Sequence, residues 1–227
     1  NANAFFNQLL PNLIAYRIEK RKDLRKYLKN NIIHCIKDNY QDKLLYFMDD
    51  LFDYSYFDDY REHYHRQTFH FRLNKANIIK LKGFFDELES QSQNKTSYLR
   101  NLFNEYANMR KDKREGLCFD NEYSFLCHAI NNKYSITCSF KDENYSLLPY
   151  KVDLNYIDGS LYLLALETEN PHICHTFRLC WLRNIVQKEV HEFEFSEKAI
   201  KKLEYLIYKY DYTGKTAINL SKLKMKD

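Results

Sequence analysis

A hairpin signal at residues 156–166, with the sequence YIDGSLYLLAL, decides the fold of the C-terminal half. Its Asp158-Gly159 pair is typical of a tight β-turn, and the apolar run after it predicts a buried strand. Further short strand patterns lie on both sides of it, at 134–140, 147–152 and 175–179. Short strands at near-even spacing predict a small β-barrel domain over residues 120–192. A C-terminal helix and tail follow at 193–227.

The N-terminal residues 1–65 have a helical pattern instead. Apolar residues recur there at spacings of three and four, which predicts an amphipathic first helix and a second one at about 40–57. Pro11 either kinks the first helix or opens it at its first turn. The whole chain is therefore predicted to be an α+β protein, with a helical N-terminal region ahead of a barrel and a C-terminal helix.

The segment Thr68–Asn74, TFHFRLN, alternates polar and apolar residues and predicts a strand. Asn74 stands where a helix cap belongs, and a helix pattern follows it. After a polar break, Thr96 or Ser97 is expected to cap a second helix. These elements form a predicted module at 66–115.

The module resembles the ribbon-helix-helix family of DNA-binding proteins, in which two chains pair their strands into a ribbon that enters the major groove. The resemblance implies that Thr68, His70 and Arg72 read base edges. It also implies that a phosphate lies at the start of the second helix, held by Lys95, Thr96, Ser97 and Arg100. An unrelated strand-helix-helix unit that only packs on its neighbours stays open as the alternative.

The C-terminal half resembles the WYL domain, a small Sm-like or SH3-like β-barrel of bacterial regulators. The resemblance rests on Ala129-Ile130 and on the segments LLPYKV (147–152), DGSLYLLAL (158–166) and TFRLCWLRNI (176–185). Leu161 replaces the first Trp of the family's tripeptide, and Trp181 stands where a second basic residue is expected. The resemblance implies a basic, aromatic face that binds nucleic acid or a nucleotide-like ligand and controls an attached DNA-binding module.

The residues themselves indicate a similar site. Rings and cations alternate on neighbouring predicted strands, and such a face stacks bases while its cations hold phosphates. Strand parity directs about half of the rings inward, with Tyr162 and Phe177 as the first core candidates. Arg178 is the strongest ligand candidate; alternatively it only pairs with a nearby carboxylate such as Glu167. The predicted nucleic-acid site consists of Tyr150, Lys151, Tyr156, Tyr162, Arg178, Trp181 and Arg183.

Composition limits the classes of function. The net charge of +4 permits nucleic-acid binding without requiring it, and 16% of the residues are aromatic. Only four glycines are present, which argues against a glycine-rich phosphate loop, and we expect no cofactor. Six cysteines without a C-x-x-C pair indicate free thiols in a reducing cytoplasm. The apolar runs are too short for a membrane span to be predicted.

A metal-dependent nuclease is a weaker hypothesis. The candidate metal ligands are the group His172, Cys174 and His175, the pair His63 and His65, and an acidic stretch at 49–59. These residues lack the ligand spacing of known metal sites and any recognisable nucleophile–base pair. We therefore predict no bound metal, no catalytic residues and no enzymatic activity.

A ribbon-helix-helix module ahead of a WYL barrel resembles the CRISPR-associated WYL accessory proteins. This resemblance implies binding of single-stranded RNA or DNA and a CRISPR effector as partner. The alternative is a ligand-sensing transcriptional regulator that binds operator DNA through its ribbon, and a pure scaffold role also stays open. A homodimer is expected, because the strand at 68–74 has no obvious mate along the chain.

Overall fold

The computed structural model describes residues 2–31, 40, 43–44, 47, 70–90, 94–190, 193–208 and 214–219. The chain divides into two compact units, 1–108 and 109–227. Of the helix predicted at 40–57, only four residues are described, all of them helical, and the remainder lies outside the described residues. No helix in the described ranges combines the length and the apolar character needed to cross a membrane.

The first unit contains α1 (Ala2–Asn31), α2 (Lys75–Ser90) and α3 (Lys95–Asn108). The second begins with α4 (Lys111–Cys118) and α5 (Asp120–Asn131). An antiparallel sheet of six strands follows, in the order β5-β1-β2-β3-β4-β6. Its strands are β1 (Tyr134–Phe140), β2 (Glu143–Leu154), β3 (Leu161–Glu167), β4 (Ile173–Arg178), β5 (Leu182–Val190) and β6 (Lys215–Asn219), and α6 (Glu197–Leu206) lies between β5 and β6.

Both faces of the sheet carry apolar side chains, which explains the unbroken apolar run of β3. Leu163 and Ala165 point to the face where Leu126 of α5 packs. Leu164 and Leu166 point to the opposite face, which packs against α6. A strand buried on both sides needs apolar residues at every position, whereas one with a solvent face alternates.

The prediction of a closed barrel was wrong. In the described part of the chain the sheet is open, with β5 and β6 as its two edges and no ladder between them. The apolar faces are buried under α5 and α6 rather than by the sheet curling on itself. The mixed helix-and-sheet class, the helical N-terminal region and the C-terminal helix are confirmed.

The strand predicted at 68–74 is not formed at residues 70–74, and Thr68 and Phe69 lie outside the described residues. The ring of Phe71 instead stacks on Phe6 of α1, with the centroids 5.1 Å apart. Apolar alternation therefore marks an extended segment that packs on a helix. Without a strand here, the ribbon of the ribbon-helix-helix interpretation has no counterpart in the described residues.

Two asparagines of α1 hydrogen-bond to the backbone of this segment. The Asn3 Oδ1 atom accepts from the Arg72 amide at 2.8 Å, and the Asn7 Oδ1 atom accepts from the Asn74 amide at 2.7 Å. The Asn7 Nδ2 atom donates to the Arg72 carbonyl at 2.8 Å. These side chains already bind backbone groups of Arg72 and Asn74 with which a second strand would have to pair. The lack of a mate for this segment therefore no longer supports a homodimer, which stays a prediction.

Pro11 lies inside α1 rather than at its first turn. A proline has no N–H to donate to the carbonyl four residues earlier, which here is that of Asn7. That carbonyl accepts instead from the Nδ2 atom of the buried Asn77, at 2.5 Å. The hydrogen bond lost at Pro11 is therefore replaced by one that attaches α2 to α1.

Asparagines cap the starts of α2 and α3. The Asn74 Oδ1 atom accepts from the Asn77 amide at 2.8 Å, which confirms the predicted cap of α2. At α3 the cap is Asn94, whose Oδ1 atom accepts from the Ser97 amide at 3.1 Å. The prediction of Thr96 or Ser97 as the cap was wrong, because Asn94 lies directly before the first helical residue.

Replacement of Asn7 by Ala is expected to destabilise the first unit. The Arg72 carbonyl and the Asn74 amide would lose their partner, and because both bonds are exposed to water each loss costs about 0.5–1.5 kcal/mol. Thermal unfolding of the full chain measures the loss. Asn7→Asp is the matched control, because it keeps the acceptor for Asn74 but loses the donor, so an intermediate effect is expected. An unchanged midpoint for Asn7→Ala would contradict this account.

Candidate nucleic-acid interface

The half-buried Trp181 lies in a short 3-10 helix, Leu179–Trp181, between β4 and β5. Two cations approach its ring: the Arg178 Cζ atom and the Lys141 Nζ atom each lie 5.3 Å from the ring centroid. Contacts of this kind contribute about 0.5–1 kcal/mol each at exposed sites. The sequence predicted Arg178 and Trp181 as partners at this site but missed Lys141, which lies in the turn after β1.

Because residue 214 is a glycine, the backbone there can approach this indole closely. It has φ +71°, and a Cβ atom added there would overlap the Cζ3 atom of Trp181. The Gly214 carbonyl also accepts a hydrogen bond from the Arg178 amide at 2.9 Å. Only glycine fits this position without displacing the indole.

Arg178 is oriented by Glu115 of α4, a buried carboxylate with 7% exposure. The Glu115 Oε1 atom lies 3.6 Å from the Arg178 Nε atom, and its Oε2 atom accepts from the Leu161 amide at 2.7 Å. Arg178 therefore does pair with a carboxylate, as the alternative interpretation held, but the carboxylate is that of Glu115 and not that of Glu167. Its side chain as a whole keeps 24% exposure, although its Nε atom is buried.

Arg183 and Phe119 extend the arrangement. The Arg183 guanidinium is 5.8 Å from the centroid of the Phe119 ring. Its Nη1 atom donates to the carbonyl oxygens of Cys180, at 2.8 Å, and Leu182, at 2.6 Å. We call the set Phe119, Lys141, Arg178, Trp181 and Arg183 the ring–cation surface. Phe119 was missed by the sequence analysis because its contact is made across the fold, from the junction of α4 and α5.

Tyr162 does not belong to this surface. It is only 3% exposed and packs in the core beneath α6, so it cannot stack on a base in this structure. Its hydroxyl lies 3.2 Å from the Asp158 Oδ2 atom, and burial is the main cause that raises the pKa of the Tyr162 phenol. The expectation that Tyr162 and Phe177 are core residues is confirmed.

Three other residues of the predicted nucleic-acid site lie outside the ring–cation surface. Tyr150 packs on Phe195 with the ring centroids 5.1 Å apart. The Lys151 ammonium lies 2.7 Å from the Asp153 carboxylate. Tyr156 lies in the β2–β3 loop and is strongly exposed.

The candidate residues of the first unit do not assemble as predicted. His70 and Arg72 are exposed in a segment without strand structure, and Thr68 lies outside the described residues. The Lys95 ammonium pairs with Glu89 at 2.5 Å. Thr96 and Arg100 are exposed on α3, while the Ser97 amide is already bonded to Asn94, which leaves that amide unavailable for the predicted phosphate clamp.

The suggested metal ligands also separate. Cys174 packs in the core beneath α6, while His175 points to the other face of β4 and bonds the Glu167 Oε1 atom through Nε2 at 2.6 Å. Burial is the main cause that lowers the pKa of His175. Among the residues that the structure describes, no three His, Cys, Asp or Glu side chains come together as a metal site, and His63 and His65 lie outside them.

Comparison with known proteins finds a likeness among solved structures. No family model and no curated protein matches the chain. A solved structure described as a CRISPR Cas-related protein is similar, with a TM-score of 0.65 and 15% sequence identity. The likeness covers 94% of this chain and 65% of that one, so this chain spans about two thirds of the other's length. At this identity the comparison shows a shared fold.

Replacement of Gly214 by Ala is expected to disturb Trp181. The added methyl group would overlap the indole, which costs about 1–3 kcal/mol through overpacking, in addition to the strain of a positive φ. Trp181 is the chain's single tryptophan, so a change in its fluorescence emission reports directly on the displacement. An emission spectrum and a melting temperature equal to those of the wild type would contradict the close approach of Gly214 to the indole.

Gly83→Ala in α2 is the matched control for that substitution. A Cβ atom there meets nothing within 4 Å. Inside a helix, alanine is favoured over glycine by about 0.5–1 kcal/mol, so a small gain in stability is expected. Trp181 emission should stay unchanged in this variant.

Proposed function

We propose that this chain binds single-stranded RNA or DNA through the ring–cation surface and acts as a non-enzymatic accessory of a CRISPR effector. The observation that carries the proposal is the half-buried Trp181, with Arg178 and Lys141 near its ring. A base that stacks on an aromatic side chain contributes about 1–3 kcal/mol, and neighbouring cations hold the phosphates. The WYL resemblance of residues 122–190 supports the same surface.

Single strands suit this surface better than a duplex. The faces of bases in a duplex are already stacked, whereas single-stranded bases can be splayed onto aromatic side chains or guanidinium planes. The ion pair with Glu115 favours one orientation of Arg178, which reduces the side-chain entropy lost on binding. Neither RNA nor DNA is favoured by these contacts, because stacking and phosphate binding are common to both.

The role beside a CRISPR effector rests on two separate supports. The first is the resemblance of the sequence to CRISPR-associated WYL accessory proteins. The second is the likeness of fold to a CRISPR Cas-related protein. A stimulation assay with a candidate effector, in the presence and absence of this chain, tests that part of the proposal.

Arg178→Ala is expected to weaken binding of a fluorescein-labelled single-stranded RNA about 10-fold, because it removes a cation and its ring contact. Arg72→Ala should change the affinity less than twofold. Fluorescence anisotropy measures both, and Arg178→Lys, which keeps the charge, should fall between them. The reverse order, with tighter binding of duplex DNA, would favour an operator-binding regulator and overturn the proposal.

The salt dependence of the same titration measures the charged contribution. Each phosphate contact on a single strand contributes a slope of about −0.7 in log affinity against log salt. The three cations of the ring–cation surface therefore predict a slope of about −2, and Arg178→Ala should make it shallower by about 0.7. A flat slope in the wild type would contradict a role for these cations.

A further inference from the structure

A pair of exposed tyrosine rings lies in the second unit, apart from the ring–cation surface. The Tyr156 and Tyr208 rings are nearly parallel, with an angle of 13° between their planes and 5.8 Å between their centroids. Tyr156 is 67% exposed and Tyr208 56% exposed. The two rings are stacked on each other and still leave more than half of each residue open to solvent.

We propose that Tyr156 and Tyr208 form a second stacking site for the bases of a single-stranded nucleic acid. This inference rests on the proposed function, and it extends the path of the strand beyond Trp181. Tyr208 was missed by the sequence analysis. Its signal there is weak, because a tyrosine just after a helix is ordinary in a chain with 20 tyrosines.

The loop that carries Tyr156 is held firmly by its own hydrogen bonds. The Asn155 Oδ1 atom accepts from the Ile157 amide at 2.8 Å, and the Asn155 carbonyl accepts from the Gly159 amide at 2.8 Å. Gly159 adopts φ +69°, as the predicted Asp-Gly turn requires. Because Asn155 is buried while Tyr156 is exposed, the loop presents this ring on a fixed support.

Tyr208 has a comparable support at the end of α6. The residue before it, Ile207, is buried in the core beneath α6, and the Tyr208 amide donates to the Tyr205 carbonyl at 3.2 Å. Rings that are already positioned lose little conformational entropy when a ligand stacks on them. The pair is therefore suited to receive a flat ligand without rearrangement.

The loop also connects the pair to the ring–cation surface. Asp158 of the same loop contacts the Tyr162 hydroxyl at 3.2 Å, and Tyr162 is the cross-strand partner of Arg178. β3 begins directly after this loop, and β4 ends at Arg178, so both sites lie at the same end of these antiparallel strands. One single strand can therefore use both sites in succession.

The charges around the pair favour stacking over phosphate binding. In the loop of Tyr156, the Lys111 Nζ atom donates to the Asp158 carbonyl at 2.6 Å; in β2, ahead of this loop, Lys151 is paired with Asp153. These cations have partners, so the rings rather than charges would supply the affinity here. The tyrosine pair would therefore contribute stacking, whereas Arg178 contributes a charge and so depends on salt.

The test compares the wild-type chain with the double variants Tyr156→Ala/Tyr208→Ala and Tyr156→Phe/Tyr208→Phe. The probes are a fluorescein-labelled single-stranded oligoadenylate and a strand of equal length made of abasic sites. The alanine variant should bind oligoadenylate about 10-fold more weakly with an unchanged salt slope. Its affinity for the abasic strand should equal that of the wild type. The phenylalanine variant keeps both rings and should bind within twofold of the wild type.

The possible failures are distinguishable. If the wild type binds oligoadenylate and the alanine variant binds it equally well, the tyrosine site is wrong while the proposed function stands. An equal loss on the abasic strand would also overturn the site, because no base is present to stack. If the wild type binds no single strand at all, the proposed function fails and this inference with it. Both substituted residues are exposed, so the variants should keep the wild-type melting temperature within a few degrees.

Discussion

The buried carboxylate of Glu115 is the constraint on which the geometry of the second unit depends. A charge removed from water must be compensated by hydrogen bonds or by an opposite charge. Glu115 finds both, in the Leu161 amide at the start of β3 and in the guanidinium of Arg178 at the end of β4. One side chain of α4 thus attaches the helix to two neighbouring strands.

The position of the ring–cation surface follows from that attachment. Arg178, oriented by Glu115, lies against the ring of Trp181, and Gly214 lets the chain before β6 approach the same indole. Burial and the nearby Glu115 carboxylate raise the pKa of Cys180 to about 12, so this neighbour stays a neutral thiol. No thiolate charge therefore offsets the positive charges of Arg178 and Lys141 beside the indole.

Local signals in the sequence predicted local structure well. The Asp158-Gly159 turn, the Asn74 cap and the helices α1, α2 and α3 depend on neighbours in the chain, and all of them are found. The apolar alternation at 68–74 predicted a strand that is not formed at residues 70–74, because an extended segment packed on a helix has the same apolar period as a strand. Nothing near that segment indicates that Asn3 and Asn7, about 70 residues earlier, would bond its backbone.

The candidate site was predicted in part for the same reason. Arg178 and Trp181 are near each other in the chain, and their association could be expected from sequence. Glu115 and Lys141 reach the site from α4 and from the β1–β2 turn, so only the folded chain brings them there. Tyr162 was predicted to belong to the nucleic-acid site, although strand parity favoured the core for it. In the structure it is buried.

The most direct test of the account is the fluorescence of Trp181 during titration with single-stranded RNA. Because the chain has one tryptophan, the signal comes from the proposed stacking ring alone. Stacked bases should quench this emission in a saturable manner, with the same midpoint as binding measured by anisotropy. Binding at saturation with unchanged Trp181 emission would place the nucleic acid elsewhere on the chain and contradict the account.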